Sequence, residues 1–442
     1  MEFIDILRTI GIFMGALMIL VFIHELGHFL AAKLFGMRVE RFSVGFPPRV
    51  WGFKKGDTDY CIGATPLGGY VKISGMVDES MDTEFMNKEP EPWEYRSKPV
   101  WQRMIVITAG VIFNMILAWF IFTGMTWVNG KVVVFAEQEN GIYIDETSFL
   151  YDLGFRNNDQ IIAVNGKNVD YFNDLVSPSE ITSSNLFYTV IRNGESVDIN
   201  IPPSFLDSIQ TRGFLDLDYL LPSKVLQVVS DSPADIAGLE SDDLIIEADG
   251  FEVNSWNGLV SSIESSTGPM DLLVLRGIDT LAISVTPDAA KKIGIQGGSI
   301  NSLNYDLIEY GFLASVSEGY TQTIETTTGI LNSFGLLLRG EVSVKQNLGG
   351  PIAIARETKR ATDESGASGF WRITAFLSIT LAIMNILPIP ALDGGHLVFL
   401  IYEGIVRKEP SEKFKIVAQN IGFILLLTLM VFVIFNDIMK LF

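Results

Sequence analysis

Cysteine and histidine are nearly missing from this sequence. Cys61 is the one cysteine in 442 residues, so neither an intrachain disulfide nor a thiolate metal cluster can form. Histidine occurs three times, at His24, His28 and His396, and any imidazole-based metal site must draw on these. Basic residues are scarce where acidic ones are plentiful. Residues 129–370 hold 14 Lys and Arg against 34 Asp and Glu, which accounts for the whole net charge of −20. Such a surface repels phosphates and excludes nucleic acid as a partner.

Long apolar runs are abundant, and the mean hydropathy is +0.31. Four runs stand out: Ile10 to Phe35, Met104 to Val128, Phe370 to Leu387 and Gln419 to Phe435. A spanning helix needs about 20 mainly apolar residues, so the runs predict about four transmembrane helices around an acidic, water-soluble segment. The third is short and ends at Pro388 and Pro390. The N-terminus has the charged and apolar regions of a signal peptide, but a discarded peptide has no use for the polar cluster it carries, so a retained anchor is expected. Residues 33–103 carry 11 Lys and Arg, and the 402–417 segment adds Arg407, Lys408, Lys413 and Lys415. The positive-inside rule places these two segments in the cytoplasm and the acidic segment on the opposite side.

The polar cluster lies in the first run, MILVFIHELGHFLAAKLF, residues 18–35. In a helix, His24 and His28 stand one turn apart on one face, so both rings can reach a single ion. Glu25 is rotated off that pair and can take a proton from metal-bound water. Ionisable side chains in a spanning helix cost at least a few kcal/mol, which makes function their default explanation. Zn²⁺ needs a third protein ligand and an open position. NILPIPALDGGH, residues 385–396, offers Asp393 beside two glycines that permit close backbone approach, and offers His396 three residues later. On chemistry alone His₃ and His₂Asp are equally reasonable.

Two related patterns mark the soluble segment: SFLYDLGFRNNDQIIAVNGKNV, residues 148–169, and SPADIAGLESDDLIIEADGFEV, residues 232–253. Each runs from a short helical opening through a glycine and an acidic turn to an apolar strand and a glycine turn, as an internal duplication would. They resemble the permuted PDZ domain of bacterial proteases, the second copy more fully. Such domains bind a peptide by strand addition or serve as bulk that restricts access. Leu307 to Leu338 reads as an amphipathic helix, suited either to the membrane face or to ordinary packing.

HELGH in a first membrane helix and NxxPxPxLDGG near the end of a third resemble the site-2 protease family of intramembrane zinc metalloproteases. Further matches are GGYVKISGM (68–76), which is similar to the family's membrane-associated β-loop, TAGVIFN (108–114) and LGGPIAIA (348–355). Val111 departs from the family, which often has proline there. The resemblance covers nearly the whole chain. It implies His24, His28 and Asp393 as zinc ligands, Glu25 as base, Asn385 as a substrate-holding residue, and His396 as a bystander. It also implies single-pass membrane-protein substrates, a multi-pass position in a bacterial inner membrane with the PDZ-like region periplasmic, and a regulatory cleavage such as release of an anti-sigma factor. An unwound substrate needs partners for its amides, and Gly68, Gly69, Tyr70 and Val71 begin a strand whose free edge could supply them.

The expected order is a first span with HExxH (1–36), a cytoplasmic loop with the β-loop (37–103) and a second span (104–128). PDZ-like domains (129–206 and 207–290) and an amphipathic helical connector (291–369) follow. A third span with LDGG (370–396), a cytoplasmic loop (397–417) and a fourth span (418–442) complete it. The competing reading is a non-catalytic membrane scaffold presenting tandem peptide-binding domains. A scaffold needs neither Glu25 nor Asp393. A metal-ion carrier would need polar groups along several helices, and the fourth run offers little beyond Gln419, Asn420 and Thr428.

Overall fold

The computed structural model describes residues 3–76, 89–134, 142–143, 149–171, 174, 177–183, 185–203, 218–219, 222–230, 232–253, 255–277, 279–297, 305–347 and 349–440. The expected boundary at 206/207, Ser148 of the first repeat and Leu348 of LGGPIAIA lie outside them. The chain divides into two compact units. One comprises Met1–Asn129, Glu309–Leu331 and Leu348–Phe442, and the other Gly130–Ile308 and Asn332–Asn347.

The first unit is helical with one hairpin. Helix α1 (Phe3–Leu34) is followed by strands β1 (Val39–Lys55) and β2 (Thr58–Ile73), then α2 (Val100–Asn129). Later come α3 (Phe312–Arg339), which belongs to this unit as far as Leu331, then α4 (Pro351–Ile386), α5 (Asp393–Val406) and α6 (Glu412–Met439). Among the described residues four helical stretches are long and apolar enough to cross a membrane: Asp5–Leu34, Val100–Asn129, Ser365–Ile386 and Lys413–Met439. The polar first half of α4 departs from helical geometry at Gly366 (φ 57°), and the spanning half starts there. The protein is thus a helical membrane protein carrying inserted β domains.

The expected 370–396 span is corrected at its end. Helix α4 stops at Ile386, before Pro388 and Pro390, and Asp393 opens a separate helix. The expected 397–417 loop is likewise helical to Val406 and again from Glu412, because HLVFLIYEGIV is an apolar helix-forming run of less than spanning length. The 291–369 connector is not wholly helical. Ile295–Gly297 and Tyr305–Ile308 are strands, and the helix read over 307–338 occupies Phe312–Arg339.

Strands β1 and β2 are long and folded across each other. Residues Arg41–Val44 pair on one side with Asp59–Ile62 and on the other with Gly69–Lys72. Gly69–Ile73 is therefore an edge, and among the described residues no strand pairs with its outer side. Along it Val71 and Ile73 are buried while Tyr70 and Lys72 are not, the alternation of a strand with one packed face. That face joins Val39 and Phe42 in a core with Ala31, Ala32, Val106 and Leu400, which fixes the edge against α1 and α2.

The second unit contains the repeats. Its two four-stranded sheets have the same topology, with the second strand in sequence outermost, then the first, third and fourth. Strands 160–164, 167–168, 187–192 and 195–200 build one, and 244–248, 251–252, 270–276 and 279–285 build the other. Turns Asn165-Gly166 and Asp249-Gly250 all have positive φ, as a type I′ hairpin requires. In the second repeat Ser232 caps a helix over Pro233–Ala237, and Gly238 ends it in the left-handed conformation.

Candidate metal centre

The centre is assembled from α1, α2, α5 and the β1–β2 hairpin. One helical turn separates His24 from His28, and their Nε2 atoms lie 3.2 Å apart. Asp393, the first residue of α5, brings its Oδ2 to 3.3 Å from His24 Nε2 and 3.4 Å from His28 Nε2. It arrives there because the loop before it turns tightly. A Cβ at Gly394 would strike the Ile386 and Leu387 carbonyls, and one at Gly395 would strike Ile389 and Pro390. His396 takes no part in this triangle. Its Nε2 lies 3.2 Å from Gln419 Nε2 on α6.

The three donors fit a zinc ion. Ligand bonds of about 2.0–2.1 Å at tetrahedral angles separate donor atoms by about 3.3 Å, the size of the observed triangle. Asp393 Oδ2 is buried and makes no hydrogen bond among the described residues, although two imidazole nitrogens are close. Three groups that can each offer an electron pair converge here, as a cation site requires. On the far side of its ring, His28 Nδ1 is 2.8 Å from the Val106 carbonyl. It must donate to that carbonyl, which leaves the Nε2 lone pair free to bind metal.

Helices α1 and α2 meet closely at this level. A Cβ on Gly27 would lie 2.5 Å from the Ala109 carbonyl, and one on Gly110 would collide with both histidine rings. Asn114, fully buried one turn further along α2, places its Nδ2 3.4 Å from His24 Nδ1. Asn385, near the end of α4, places its Nδ2 3.4 Å from His24 Nε2. A cavity of about 280 Å³ opens onto the cluster, lined among others by Glu25, Gly68, Gly69, Tyr70, Val71 and Asn385. Every expected site residue therefore borders one space.

The edge strand comes unusually near Glu25. A Cβ on Gly69 would stand 3.0 Å from Glu25 Cγ and 2.8 Å from Val21 Cγ1, so only glycine lets the backbone lie there. Tyr70 is held by Arg41, whose guanidinium donates to its hydroxyl at 3.0 Å, and its ring stacks on Phe46. The residues that reasoning from sequence alone left without a role are Val106, Gly110, Asn114 and Phe46. Gly110 and Asn114 lie in the TAGVIFN segment, whose small and polar residues inside an apolar run were the available signal.

Comparison with known proteins identifies the family. The sequence profile of Peptidase family M50 matches residues 12–429. The regulator of sigma E protease of Haemophilus influenzae is 30% identical over 98% of this chain and 99% of its own length. That of Salmonella typhi is 30% identical over 99% of this chain and 100% of its own. A protein of Pasteurella multocida provisionally designated a zinc metalloprotease is 30% identical over 97% and 98%. The chain belongs to Peptidase family M50, the site-2 protease family of zinc metalloproteases.

Proposed function

We propose that this chain hydrolyses a peptide bond in or near the transmembrane segment of single-pass membrane proteins, with His24, His28 and Asp393 holding zinc. The carrying observation is the 3.2–3.4 Å triangle of donor atoms beside Glu25, on helices apolar enough to cross a bilayer. Zinc, when bound, lowers the pKa of water and polarises a carbonyl. Glu25 takes the attacking water's proton and returns it to the leaving amine, so the C–N bond breaks with no net proton change. Asn385, beside His24, orients the scissile amide. The edge Gly68–Val71 receives the unwound substrate by strand addition and aligns it past Glu25, satisfying amides that lipid cannot.

The repeated β domains act as PDZ-like modules on the periplasmic side of a bacterial inner membrane and govern which substrates reach the site. Two relatives are named for regulation of sigma E, which supports a regulatory cleavage that releases an anti-sigma factor. The scaffold alternative is disfavoured because it leaves the buried Glu25 and the convergent Asp393 without purpose. Glu25→Gln tests the reading. Zinc content stays at the parent level while cleavage of a transmembrane substrate falls about 10²- to 10⁴-fold, the usual contribution of a positioned base. Cleavage at the parent rate by a zinc-loaded Gln variant contradicts the assignment.

A further inference from the structure

Both histidines of the cluster have a second ring nitrogen, and α2 faces both. Val106 supplies a carbonyl to His28 Nδ1 at 2.8 Å. Asn114 supplies an amide to His24 Nδ1 at 3.4 Å, and its side chain is fully buried. Val106, Gly110 and Asn114 are spaced i, i+4 and i+8, so they share one face of α2, and glycine in the middle makes room for the two rings. Asn114 is anchored independently of histidine, since its backbone carbonyl accepts from Ser378 Oγ on α4 at 2.8 Å.

The amide orientation exposes a conflict. With Nδ2 toward His24, Asn114 Oδ1 is buried and has no hydrogen-bond partner. An Nδ2–H donated to His24 Nδ1 also forces the imidazole proton onto Nε2, where it would point into the Asp393 and His28 donors. Turning the amide resolves the His24 side of this conflict. Oδ1 then accepts from His24 Nδ1–H, and the Nε2 lone pair faces the cluster. Amide oxygen and nitrogen are interchangeable in shape, so the hydrogen-bond network decides between them.

We infer that Asn114 is a positioning residue. Through Oδ1 it holds His24 in the Nδ1–H tautomer and aims Nε2 at the metal, as the Val106 carbonyl does for His28. The inference rests on the zinc reading of the cluster. A main-chain acceptor cannot be lost by substitution, whereas a side-chain acceptor can, so the His24 arm is the one open to mutation.

Zinc affinity of the full chain in detergent, measured by chelator competition, tests this with Asn114→Ala, Asn114→Leu and Asn114→Asp. Ala and Leu weaken binding by about 10- to 100-fold, the usual cost of losing such a partner. Asp, an acceptor of the same size, stays within about threefold of the parent or tightens binding. A role in packing alone gives the reverse order, because Leu fills the space and Asp buries a charge. Parent-like affinity in the Ala variant, or an Asp variant as weak as Leu, overturns the inference. The parent itself supplies a further readout, since ¹⁵N-histidine spectra of a chain with three histidines are simple. Zinc on Nε2 and a proton on Nδ1 of His24 is expected, and zinc on Nδ1 of His24 overturns it even if no variant folds. His24→Ala and Asp393→Ala are run alongside. If they keep zinc, the reading of the cluster fails. If they lose it while Asn114→Ala keeps it, only this inference fails.

Discussion

Asp243 in the inserted domains and Asp393 in the membrane unit are both carboxylates in packed surroundings, and they behave oppositely. Asp243 is fully buried and saturated. It accepts from Arg276 Nε at 2.7 Å and Nη2 at 2.8 Å and from the Glu240 amide at 2.8 Å. The other repeat copies this arrangement 84 residues earlier. Asp159 accepts from Arg192 Nε at 2.7 Å and Nη2 at 2.6 Å and from the Arg156 amide at 2.9 Å. In both, the arginine also donates to a glycine carbonyl, Gly154 or Gly238. Among the described residues Asp393 has no such copy, and its buried Oδ2 makes no hydrogen bond although two imidazoles lie close. A polar cluster that recurs with every bond satisfied holds a fold together. One that occurs once, with three donor atoms converging among apolar helices, is built for a ligand.

The largest effect that sharpens this contrast is at the histidines. His24→Ala or His28→Ala should bring cleavage of a transmembrane substrate below detection in the purified protein, while Asp243→Ala should leave the rate on a short substrate near parental. Equal losses from the two kinds of change would erase the distinction. A smaller effect is expected on the strand edge. Tyr70→Pro and Val71→Pro each remove a main-chain donor, one facing the free edge and one facing β1. At least one folded, zinc-loaded proline variant should cleave slower than its alanine counterpart by about fivefold or more, since a lost hydrogen bond is worth about 1 kcal/mol and more away from water. Proline and alanine variants with equal rates would remove the clamp.

Smaller again is the stability effect in the repeats. Asp243→Ala removes two hydrogen bonds from the partly exposed Arg276 guanidinium and one from the Glu240 amide, and should cost the inserted domains about 1–3 kcal/mol in thermal or chemical unfolding. The same bond sets an acid dependence. Burial opposes ionisation of Asp243, but the Arg276 and Glu240 hydrogen bonds overcome it and hold its carboxyl below the usual carboxylate range. A depressed folded-state pKa gives stability that is complete above about pH 4, the ordinary carboxylate value, and is lost as pH falls below that. Parental stability should therefore decline from about pH 4 downward, and Asp243→Asn should decline less. An unchanged slope in the Asn variant would show that Asp243 does not carry this linkage.

Much of the architecture was legible because it rests on local pattern. Runs such as Ile10–Phe35 exceed a bilayer's thickness, and Asp249-Gly250 can hardly avoid a tight turn. Helix α5 falls partly in the expected third span (370–396) and partly in the expected loop (397–417), because its 14 residues are too few to span and are not set apart as an element of their own. Among the site residues, HELGH and LDGG declare themselves by chemistry, yet chemistry alone does not choose between Asp393 and His396, and only the family resemblance favours Asp393. The choice depends on which side chain α5 turns inward, a tertiary fact. Asn114 was harder to read, since it meets His24 across 90 residues and an asparagine in an apolar helix has no local pattern to betray its partner.

The measurement that tests the account most directly is zinc content per chain in purified Asp393→Ala and His396→Ala beside the parent. One zinc per chain in the parent and in His396→Ala, with little in Asp393→Ala, is the predicted result. A full site in Asp393→Ala and an empty one in His396→Ala would contradict it.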